Sequence, residues 1–321
     1  MTTSLAAGPH LRIPVANEQE RFVGELFDML WDRYRQRVVH VRSYEQLIAA
    51  AGATFVNDHI AFRTIASQNP ITGISLLSRL FEALGYRAAN CYQFEDKHLS
   101  AIHFQHPNGQ FPKLFISELK SWELSPSARD ILDRSASRHR SPLSEEVLVG
   151  LHQLKTGSTA DRAQLLQAVV AYIQDLPWPV PEKSDVVALN KESQYGAWVL
   201  VHGNNVNHFT SLINSHGVDS LSDIEKTIAA LQQAGVPVKS EIEGERGTKL
   251  RQSATEAAVI DVPVLDQGRE TTMSWTYAYF ELAERGFITD PETNTRGRFE
   301  GFLGPQATQL FEMTRTTASL S

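Results

Sequence analysis

Apolar residues recur at helical spacing near the start of the chain. In NEQERFVGELFDMLWDRYRQRV they share one helix face, at Phe22, Leu26, Met29, Leu30 and Tyr34. A second stretch, SYEQLIAAAG, begins at a serine suited to capping a helix and ends at Gly52, a residue type that often terminates helices. The pattern therefore predicts N-terminal helices over residues 18–52.

The pattern changes in residues 53–119. VNDHIAFRTI, residues 56–65, is largely apolar and predicts a strand that reaches a core, whereas NPITGISLLSRLFEALG has helical spacing and stops at Gly85. YRAANCYQF, LSAIHFQHP and FPKLFISEL follow as short β-rich stretches separated by turn signals such as PNG. The order strand, helix, strand, strand, strand predicts a first βαβββ module.

Residues 120–190 have a different character. SPSARDILDRSASRHRSPLSEEVLVGLHQL and TADRAQLLQAVVAYIQDL have helical patterns preceded by Ser or Thr caps, and PWPVPEKSD is a proline-rich connector. We interpret this region as a helical insertion and not as a separate domain.

The first pattern returns in residues 197–305. AWVLVHGNNVNHFTSLI is strand-like, LSDIEKTIAALQQAGVPV predicts a helix, and SEIEGE, KLRQSATEAAVIDVPV and SWTYAYFELAERG predict three further strands. The repeated order indicates an internal duplication. We therefore predict one α+β domain over residues 1–321, with paired βαβββ modules forming a curved sheet.

Composition and charge narrow the class of protein. The 321 residues are 42% hydrophobic and 21% charged, which is typical of a globular protein. A net charge of −7 gives no basic footprint for nucleic acid, and no run of about 18 apolar residues predicts a membrane span. The N-terminal stretch has no secretory pattern and Cys91 is the one cysteine, so we expect a cytoplasmic protein in which Cys91 packs as a small hydrophobe.

Polar residues interrupt the apolar strands at three places. His59 lies in VNDHIAFRTI, His208 in NVNHFTSLI and Glu281 in YAYFELAERG. If the fold brings them together, two imidazoles and one carboxylate leave three positions of an octahedral metal open. Non-haem Fe(II) oxygenases use that arrangement for substrate and dioxygen. Zinc accepts the same donors, so the residues alone do not fix the metal.

The sequence also leaves other donors open. Eleven histidines are present, and His103 or His106 could replace the histidine of the first module. Glu118 or Glu284 could replace the carboxylate of the second module. Any of the histidines could instead be a hydrogen-bonded core residue without a metal.

The spacing in the first strand adds a candidate for substrate binding. His59, Ala61 and Arg63 share a strand face, with the Cα atoms of His59 and Arg63 roughly 13 Å apart. Small Ala61 leaves room for a ligand between side chains that both reach inward. We predict that Arg63 binds a substrate carboxylate through two parallel hydrogen bonds, with a structural salt bridge as the alternative.

The last strand offers two tyrosines on the face of Glu281. Tyr277 and Tyr279 could contribute hydroxyl groups to the pocket or fill it. We predict Tyr279 as a substrate-binding residue.

The stretch EGERGTKLRQSAT offers further polar groups. If KLRQSAT is a strand, Arg251 and Ser253 face one way, and Leu250 and Gln252 face the other. The pattern does not tell which side faces inward. We predict that Arg251 and Ser253 bind substrate, Arg251 through its positive charge and Ser253 through its hydroxyl group.

VNDHIAFRTI, NVNHFTSLI, LRQSAT and YAYFELAERG together resemble the 2-oxoadipate dioxygenase/decarboxylase family over about residues 18–305. The resemblance implies a core of the vicinal-oxygen-chelate type. It also implies Fe(II) held by His59, His208 and Glu281, with Arg63 as the partner of a substrate carboxylate.

The resemblance further implies a reaction of a 2-oxo dicarboxylic acid with dioxygen. In that family 2-oxoadipate gives 2-hydroxyglutarate and carbon dioxide, late in lysine breakdown, by chelation of the substrate, attack of dioxygen, decarboxylation and hydroxylation of the same molecule. We take Glu118 as the counterpart of Glu281 in the first module. We expect it not to be a fourth ligand, because that would fill a position the chemistry needs.

Two other functions stay open from the sequence. One is a metal-dependent isomerase or lyase of the glyoxalase type, which needs no dioxygen. The other is a non-catalytic module that binds a small molecule and in which the histidines are structural. The oligomeric state cannot be read from the sequence.

Overall fold

The structure is a computed structural model that describes residues 8–141, 143–157, 161–239, 241–289, 294–303 and 314. Helices α1 (Glu18–Arg37) and α2 (His40–Ala51) occupy the predicted N-terminal range. The Asn17 side chain caps α1 by accepting a hydrogen bond from the Glu20 amide, and α2 ends at Gly52 in the left-handed conformation. No helix in the described ranges combines the length and the apolar character needed to cross a bilayer.

The first module has the predicted order of elements. Its bounds are β1 (Asn57–Ala66), α3 (Ile74–Ala83), β2 (Arg87–Phe94), β3 (Leu99–Gln105) and β4 (Lys113–Lys120). Every residue of β1 is buried, as expected for a central strand, whereas most of β2 is exposed at the edge. Cys91 is exposed on β2, so the expectation that it packs inside is wrong.

Five helices follow the first module in the described residues: α4 (Pro126–Ala136), α5 (Glu145–Gln153), α6 (Arg162–Gln174), α7 (Lys183–Glu192) and α8 (Gln194–His202). The stretch AWVLVHG, predicted as the start of a strand, therefore belongs to a helix. All residues from Tyr195 to His202 are buried. A helix buried on every side has no polar face, so its sequence lacks the helical period and looks like a core strand.

The second module contains the remaining elements: β5 (Val206–Leu212), α9 (Ile224–Gln233), β6 (Leu250–Ala254), β7 (Val259–Asp266), β8 (Arg269–Thr276), β9 (Glu281–Arg285), β10 (Phe287–Thr289) and β11 (Arg296–Arg298). The sequence prediction was wrong on three strands. The described part of SEIEGE forms only an isolated bridge, Glu243 with Gln252. KLRQSATEAAVIDVPV is two strands, and β7 pairs with β8 in a separate hairpin. SWTYAYFELAERG is divided between β8 and β9.

The two modules join in one curled sheet. Among the described residues it has seven strands, in the order β2-β3-β4-β1-β5-β9-β6. β1 runs parallel to β4, β5 runs parallel to β9, and β1 pairs antiparallel with β5 where the modules meet. This arrangement confirms the predicted α+β fold with paired modules.

The strand register shows which residues correspond in the two modules. His59 of β1 and His208 of β5 occupy equivalent positions at the junction. Ala61, two residues after His59, pairs with Phe115 of β4. Thr210, two residues after His208, pairs with Glu281 of β9. The first module therefore carries an aromatic ring where the second carries a carboxylate.

Glu118 of β4 corresponds to Glu284 of β9. Glu118 Oε2 accepts a hydrogen bond from the Ile74 amide at the start of α3, and Glu284 Oε2 accepts one from the Ile224 amide at the start of α9, both at 2.8 Å. A carboxylate at a helix N-terminus satisfies a free N–H and complements the helix dipole. The prediction that Glu118 is the counterpart of Glu281 is therefore wrong. Glu118 corresponds to Glu284, and both residues cap a helix.

The segment before α1 is tied to the beginning of β1. His10 Nδ1 lies 2.8 Å from Asp28 Oδ1 of α1, and His10 Nε2 lies 3.0 Å from Asn57 Oδ1. Asn57 Nδ2 donates to the carbonyl oxygens of His59 and Thr210, both at 2.9 Å. These buried contacts fix the junction of β1 and β5, where the candidate site lies.

Candidate metal centre

Three buried donor side chains converge where the modules meet. His59 Nε2 lies 3.4 Å from His208 Nε2 and 3.2 Å from Glu281 Oε1, and His208 Nε2 lies 3.3 Å from Glu281 Oε2. Within the described part of the chain, this is the one group of three or more His, Cys, Asp or Glu residues that could hold a metal ion. The structure thus brings together the three predicted ligands, across 149 and 73 residues of sequence.

The three separations fit neighbouring positions around one ion. Ligands about 2.1 Å from an octahedral ion lie about 3.0 Å apart when adjacent and about 4.2 Å apart when opposite. All three observed separations are of the adjacent kind. The donors would therefore occupy one triangular face and leave the opposite face open.

The state of the carboxylate also fits a metal. Glu281 is fully buried, and its Oε2 has no hydrogen-bond partner among the described residues. Its Oε1 accepts a hydrogen bond of 2.7 Å from Gln252 Nε2. A buried anion with an unsatisfied oxygen is costly, and a cation shared with the two imidazoles would remove that cost.

Burial and mutual charge set the protonation of the three groups. Burial lowers the pKa of His208 to about 3, so this imidazole is neutral. Burial opposes a charged His59, but the Glu281 and Asp58 carboxylates outweigh it and raise the pKa of His59. Burial would raise the pKa of Glu281, yet the two imidazoles and Gln252 lower it. The carboxylate therefore stays ionised, and a bound cation would take the place of the His59 proton.

Each imidazole is oriented by the residue that precedes it. A register shift between Asn57 and His59 marks a bulge in β1, and there Asp58 Oδ2 accepts a hydrogen bond of 2.8 Å from His59 Nδ1. Asn207 Oδ1 accepts one of 3.1 Å from His208 Nδ1. Because Nδ1 of each ring donates, Nε2 is the nitrogen that faces the centre, and it would offer its lone pair to a cation.

Asp58 is in turn held by Arg285 of β9. Arg285 Nε donates to Asp58 Oδ1 at 2.6 Å, and Arg285 Nη2 donates to Asp58 Oδ2 at 2.7 Å. Burial would raise the pKa of Asp58, but Arg285 and Lys113 hold it well below its usual range. A carboxylate therefore supports one histidine and a neutral amide supports the other.

Arg63 lies four residues along β1 from His59 and is buried between aromatic rings of α8. Its Cζ atom is 5.0 Å from the centre of the Tyr195 ring and 5.3 Å from that of Trp198. Nη1 donates a hydrogen bond of 2.7 Å to Thr314 Oγ1. Cation–π contacts and this hydrogen bond hold the guanidinium in place.

A cavity that is partly open to solvent lies between Arg63 and the two imidazoles of the donor group. The residues that line it combine imidazoles, a few polar groups and several apolar side chains: His59, Ala61, Phe62, Arg63, Phe115, Ser117, Asn207, His208, Gln252, Tyr279, Phe302 and Leu303. Tyr279 lies there as expected, with its ring 4.7 Å from that of His208. Tyr277 packs instead against Trp198.

The structure does not bring Arg251 and Ser253, the predicted substrate-binding residues of β6, to the cavity. Arg251 forms ion pairs with Glu225 and Glu284, and Ser253 Oγ donates to the Glu241 carbonyl. Gln252 faces inward. The strand LRQSA has polar residues on both faces, so hydrophobic alternation could not show which side is buried.

The remaining candidate histidines lie elsewhere. His103 Nδ1 is 2.9 Å from the Tyr92 hydroxyl, and His106 packs on Tyr86 and Phe111. Neither belongs to the donor group.

Sequence reasoning missed five residues that the site uses, namely Asp58, Asn207, Gln252, Arg285 and Thr314. Asp58 and Arg285 were visible within DHIAFRT and FELAERG, but no sequence rule links residues 227 positions apart. Thr314 comes from the C-terminal part of the chain and carried no pattern. The available signal for Asp58 was its position in an apolar strand, directly before the candidate ligand His59.

A curled sheet of paired modules, with histidines and a carboxylate where the modules meet, is a fold of the vicinal-oxygen-chelate type. A solved structure described as a glyoxalase superfamily protein from Ralstonia eutropha JMP134 has the same fold. Its TM-score is 0.75 at 22% identity, covering 86% of this chain and 90% of that one.

The particular family follows from the sequence. The profile of the 2-oxoadipate dioxygenase/decarboxylase family matches residues 21–316, and the chain belongs to this family. The resemblance noted in the sequence is thereby confirmed, and the chain is an enzyme of the oxygenase class.

Two relatives from rice are similar over most of the chain. The chloroplastic/amyloplastic 2-oxoadipate dioxygenase/decarboxylase of Oryza sativa is 29% identical over 294 residues, covering 85% of this chain and 71% of the rice protein. The crystal structure of the Oryza sativa hydroxyglutarate synthase in complex with 2-oxoadipate has a TM-score of 0.73 at 25% identity. It covers 97% of this chain and 98% of that one.

Proposed function

We propose that this chain is an Fe(II)-dependent dioxygenase that converts 2-oxoadipate and dioxygen into 2-hydroxyglutarate and carbon dioxide, a step of lysine breakdown. One observation carries the proposal: two imidazoles and a carboxylate converge in an arrangement that could hold a metal ion, and Arg63 lies on the wall of the adjoining cavity. Membership of the family, and the rice relative that binds 2-oxoadipate, support this choice of substrate.

Iron would be held by His59, His208 and Glu281, and when bound it would supply the Lewis acidity and the electrons that dioxygen activation needs. The protein groups keep the donors ready. Asp58 and Asn207 hold each imidazole with Nε2 inward, and Gln252 orients the carboxylate of Glu281.

Arg63 would bind and orient a carboxylate of the substrate. Its guanidinium is held by Tyr195 and Trp198, so its position is set before substrate enters. Tyr279 contacts both Arg63 and the His208 ring, and it would help to position the substrate between them. Such positioning keeps the reacting carbon in one place and lowers the entropic part of the barrier.

The apolar side chains of the cavity exclude water. Phe62, Phe115, Phe302 and Leu303 form much of its wall. With little water present, the contacts of Arg63 and the metal with a charged substrate are stronger than in solution. The wall also gives the methylene chain of a dicarboxylic acid an apolar surface.

The test is oxygen consumption by anaerobically purified, iron-loaded protein. With 2-oxoadipate we expect dioxygen, carbon dioxide and 2-hydroxyglutarate in a 1:1:1 ratio, and no turnover by His59→Ala or Glu281→Ala. Glu284→Gln, on the same strand, should keep activity. Absence of oxygen uptake with every 2-oxo acid would contradict the proposal. Anaerobic conversion would indicate a glyoxalase-type isomerase or lyase, and metal content far below one ion per chain would indicate a binding module.

A further inference from the structure

Asp58 and Arg285 are charged residues of the segments DHIAFRT and FELAERG. The proposed function gives neither residue a direct contact with substrate or metal. Their side chains are fully shielded from solvent and form a bidentate ion pair, with N···O distances of 2.6 and 2.7 Å. Burying two charges costs several kcal/mol per ion before their attraction is counted, so such a pair adds little net stability. Its geometry, however, is well defined.

On one side, the pair orients a candidate ligand. Asp58 Oδ2 accepts hydrogen bonds from both His59 Nδ1 and Arg285 Nη2. Arg285 therefore fixes the carboxylate that fixes the imidazole. Carboxylates that hold a ligating histidine in this way set the tautomer and the ring orientation.

On the other side, Arg285 holds the segment that forms part of the cavity wall. Arg285 Nη1 donates to the carbonyl oxygens of Phe299 at 3.0 Å and Gly301 at 2.8 Å. The next residue, Phe302, lines the cavity, and its ring lies 4.9 Å from the His59 ring. Lys113 adds a second tie to the same segment through Glu300.

The second histidine lacks this arrangement. The residue that orients His208 is Asn207, a neutral amide. By the strand register, the position of Arg285 in the first module is occupied by Leu119. The ion pair is therefore particular to the His59 side and is not a general requirement of the duplicated fold.

We propose that Asp58 and Arg285 form one positioning pair that fixes both the His59 imidazole and the Phe299–Phe302 segment, so that metal affinity and closure of the cavity depend on the same contact. This inference rests on the proposed function, because it takes His59 as a metal ligand. Neither residue touches the substrate.

Metal affinity of the metal-free protein tests the first half. Cobalt(II) is titrated into wild type, Asp58→Asn, Arg285→Gln and the double variant, and its visible absorption band is recorded. We expect about 10- to 100-fold weaker binding in each single variant, as is usual for residues that orient a ligand. The double variant should lose much less cobalt affinity than the product of the two single losses, because both substitutions break the same contact.

The matched control is Arg251→Gln. Arg251 is also buried and ion-paired, and it lies on β6 next to β9, but its side chain is on the face away from the cavity. Its cobalt affinity should equal that of wild type. If Arg285→Gln does not fold, Arg285→Lys replaces it, since lysine keeps the charge but cannot bridge two oxygens and two carbonyl groups together.

Hydrogen exchange of the backbone amides in residues 299–303 tests the second half. We expect faster exchange in Arg285→Gln and Asp58→Asn than in wild type or Arg251→Gln. Wild-type cobalt affinity together with unchanged exchange in both variants would overturn the pair while leaving the proposed function intact. A wild-type protein that binds no cobalt would overturn the metal site itself, and this inference with it.

Discussion

The first and second modules each place a histidine on their opening strand, and each uses a glutamate to cap the helix that follows. Glu118 and Glu284 share that capping role. The inner faces differ, because the first module has Phe115 where the second has Glu281. The two modules thus have a histidine at corresponding positions, whereas only the second has a carboxylate at the position next to it.

The residue proposed to bind the substrate carboxylate lies in the other module. Arg63 belongs to the first module, and the equivalent residue of the second is Leu212 at the end of β5. One module would therefore complete the metal site while the other binds the substrate carboxylate. The asymmetry explains how a doubled fold produces one site with two distinct ends.

Removing the carboxylate of Glu281, which distinguishes the second module from the first, should have the largest effect on metal binding. In Glu281→Gln we expect metal affinity to fall by more than about 100-fold, since losing a ligand costs more than losing a residue that orients one. Metal titration of the metal-free protein gives the measurement. Glu284→Gln, three residues along the strand, should bind metal normally, and equal losses in the two variants would count against the assignment.

Removing the guanidinium should be the next largest change. Arg63→Met should lower kcat/KM for 2-oxoadipate by about 30- to 5,000-fold, because a buried charged hydrogen bond is worth about 2–5 kcal/mol. Steady-state oxygen uptake measures this effect, and metal affinity should be unchanged. With 2-oxohexanoate, which lacks the second carboxylate, the variant and wild type should differ much less if Arg63 binds the distal end. Unchanged kcat/KM for both acids would exclude Arg63 from substrate binding.

Loss of either helix cap should have a similar and modest effect. Glu118→Gln and Glu284→Gln should each lower the free energy of unfolding by about 1 kcal/mol, the usual contribution of a cap with its charge. Chemical denaturation of the metal-free variants measures it. A large loss in one and none in the other would show that the two carboxylates are not equivalent.

The smallest expected effect concerns Glu243, next to the edge of the second module. Burial, with the charge of Glu281, raises the pKa of Glu243 to about 8, well above the value of about 4.3 in an unfolded chain. The protonated side chain therefore favours folding below about pH 4.5, and that contribution is lost as the pH rises towards 8. Glu243→Gln should raise the Tm of the metal-free protein by about 2 °C at pH 8.5 and leave it almost unchanged at pH 5. Equal shifts at both values would indicate packing and not titration.

The order of the elements and the three donors could be predicted because polar side chains within largely apolar strands are conspicuous. His59, His208 and Glu281 each lie in such a strand. The sequence could not reveal the helix α8, whose burial on all sides removes the period that distinguishes helix from strand. Nor could it orient β6, where Arg251 and Gln252 are both polar and only the fold decides which faces inward.

Contacts between distant residues were beyond any local pattern. The bond between Asp58 and Arg285 joins the first and last strands that contribute to the site, and Thr314 reaches Arg63 from the C-terminal part of the chain. Such contacts follow from the topology of the sheet, which places β1 and β9 on either side of β5.

The aromatic rings around Arg63 come from α8, which belongs to the helical region between the modules. A guanidinium clamped in this way cannot swing to follow its partner. Under the proposed function, acids with a shorter or longer carbon chain would miss either the iron or Arg63, so selection by chain length would originate outside the duplicated sheet. Exchange of that helix between relatives would be a route to new substrates that leaves the metal ligands untouched.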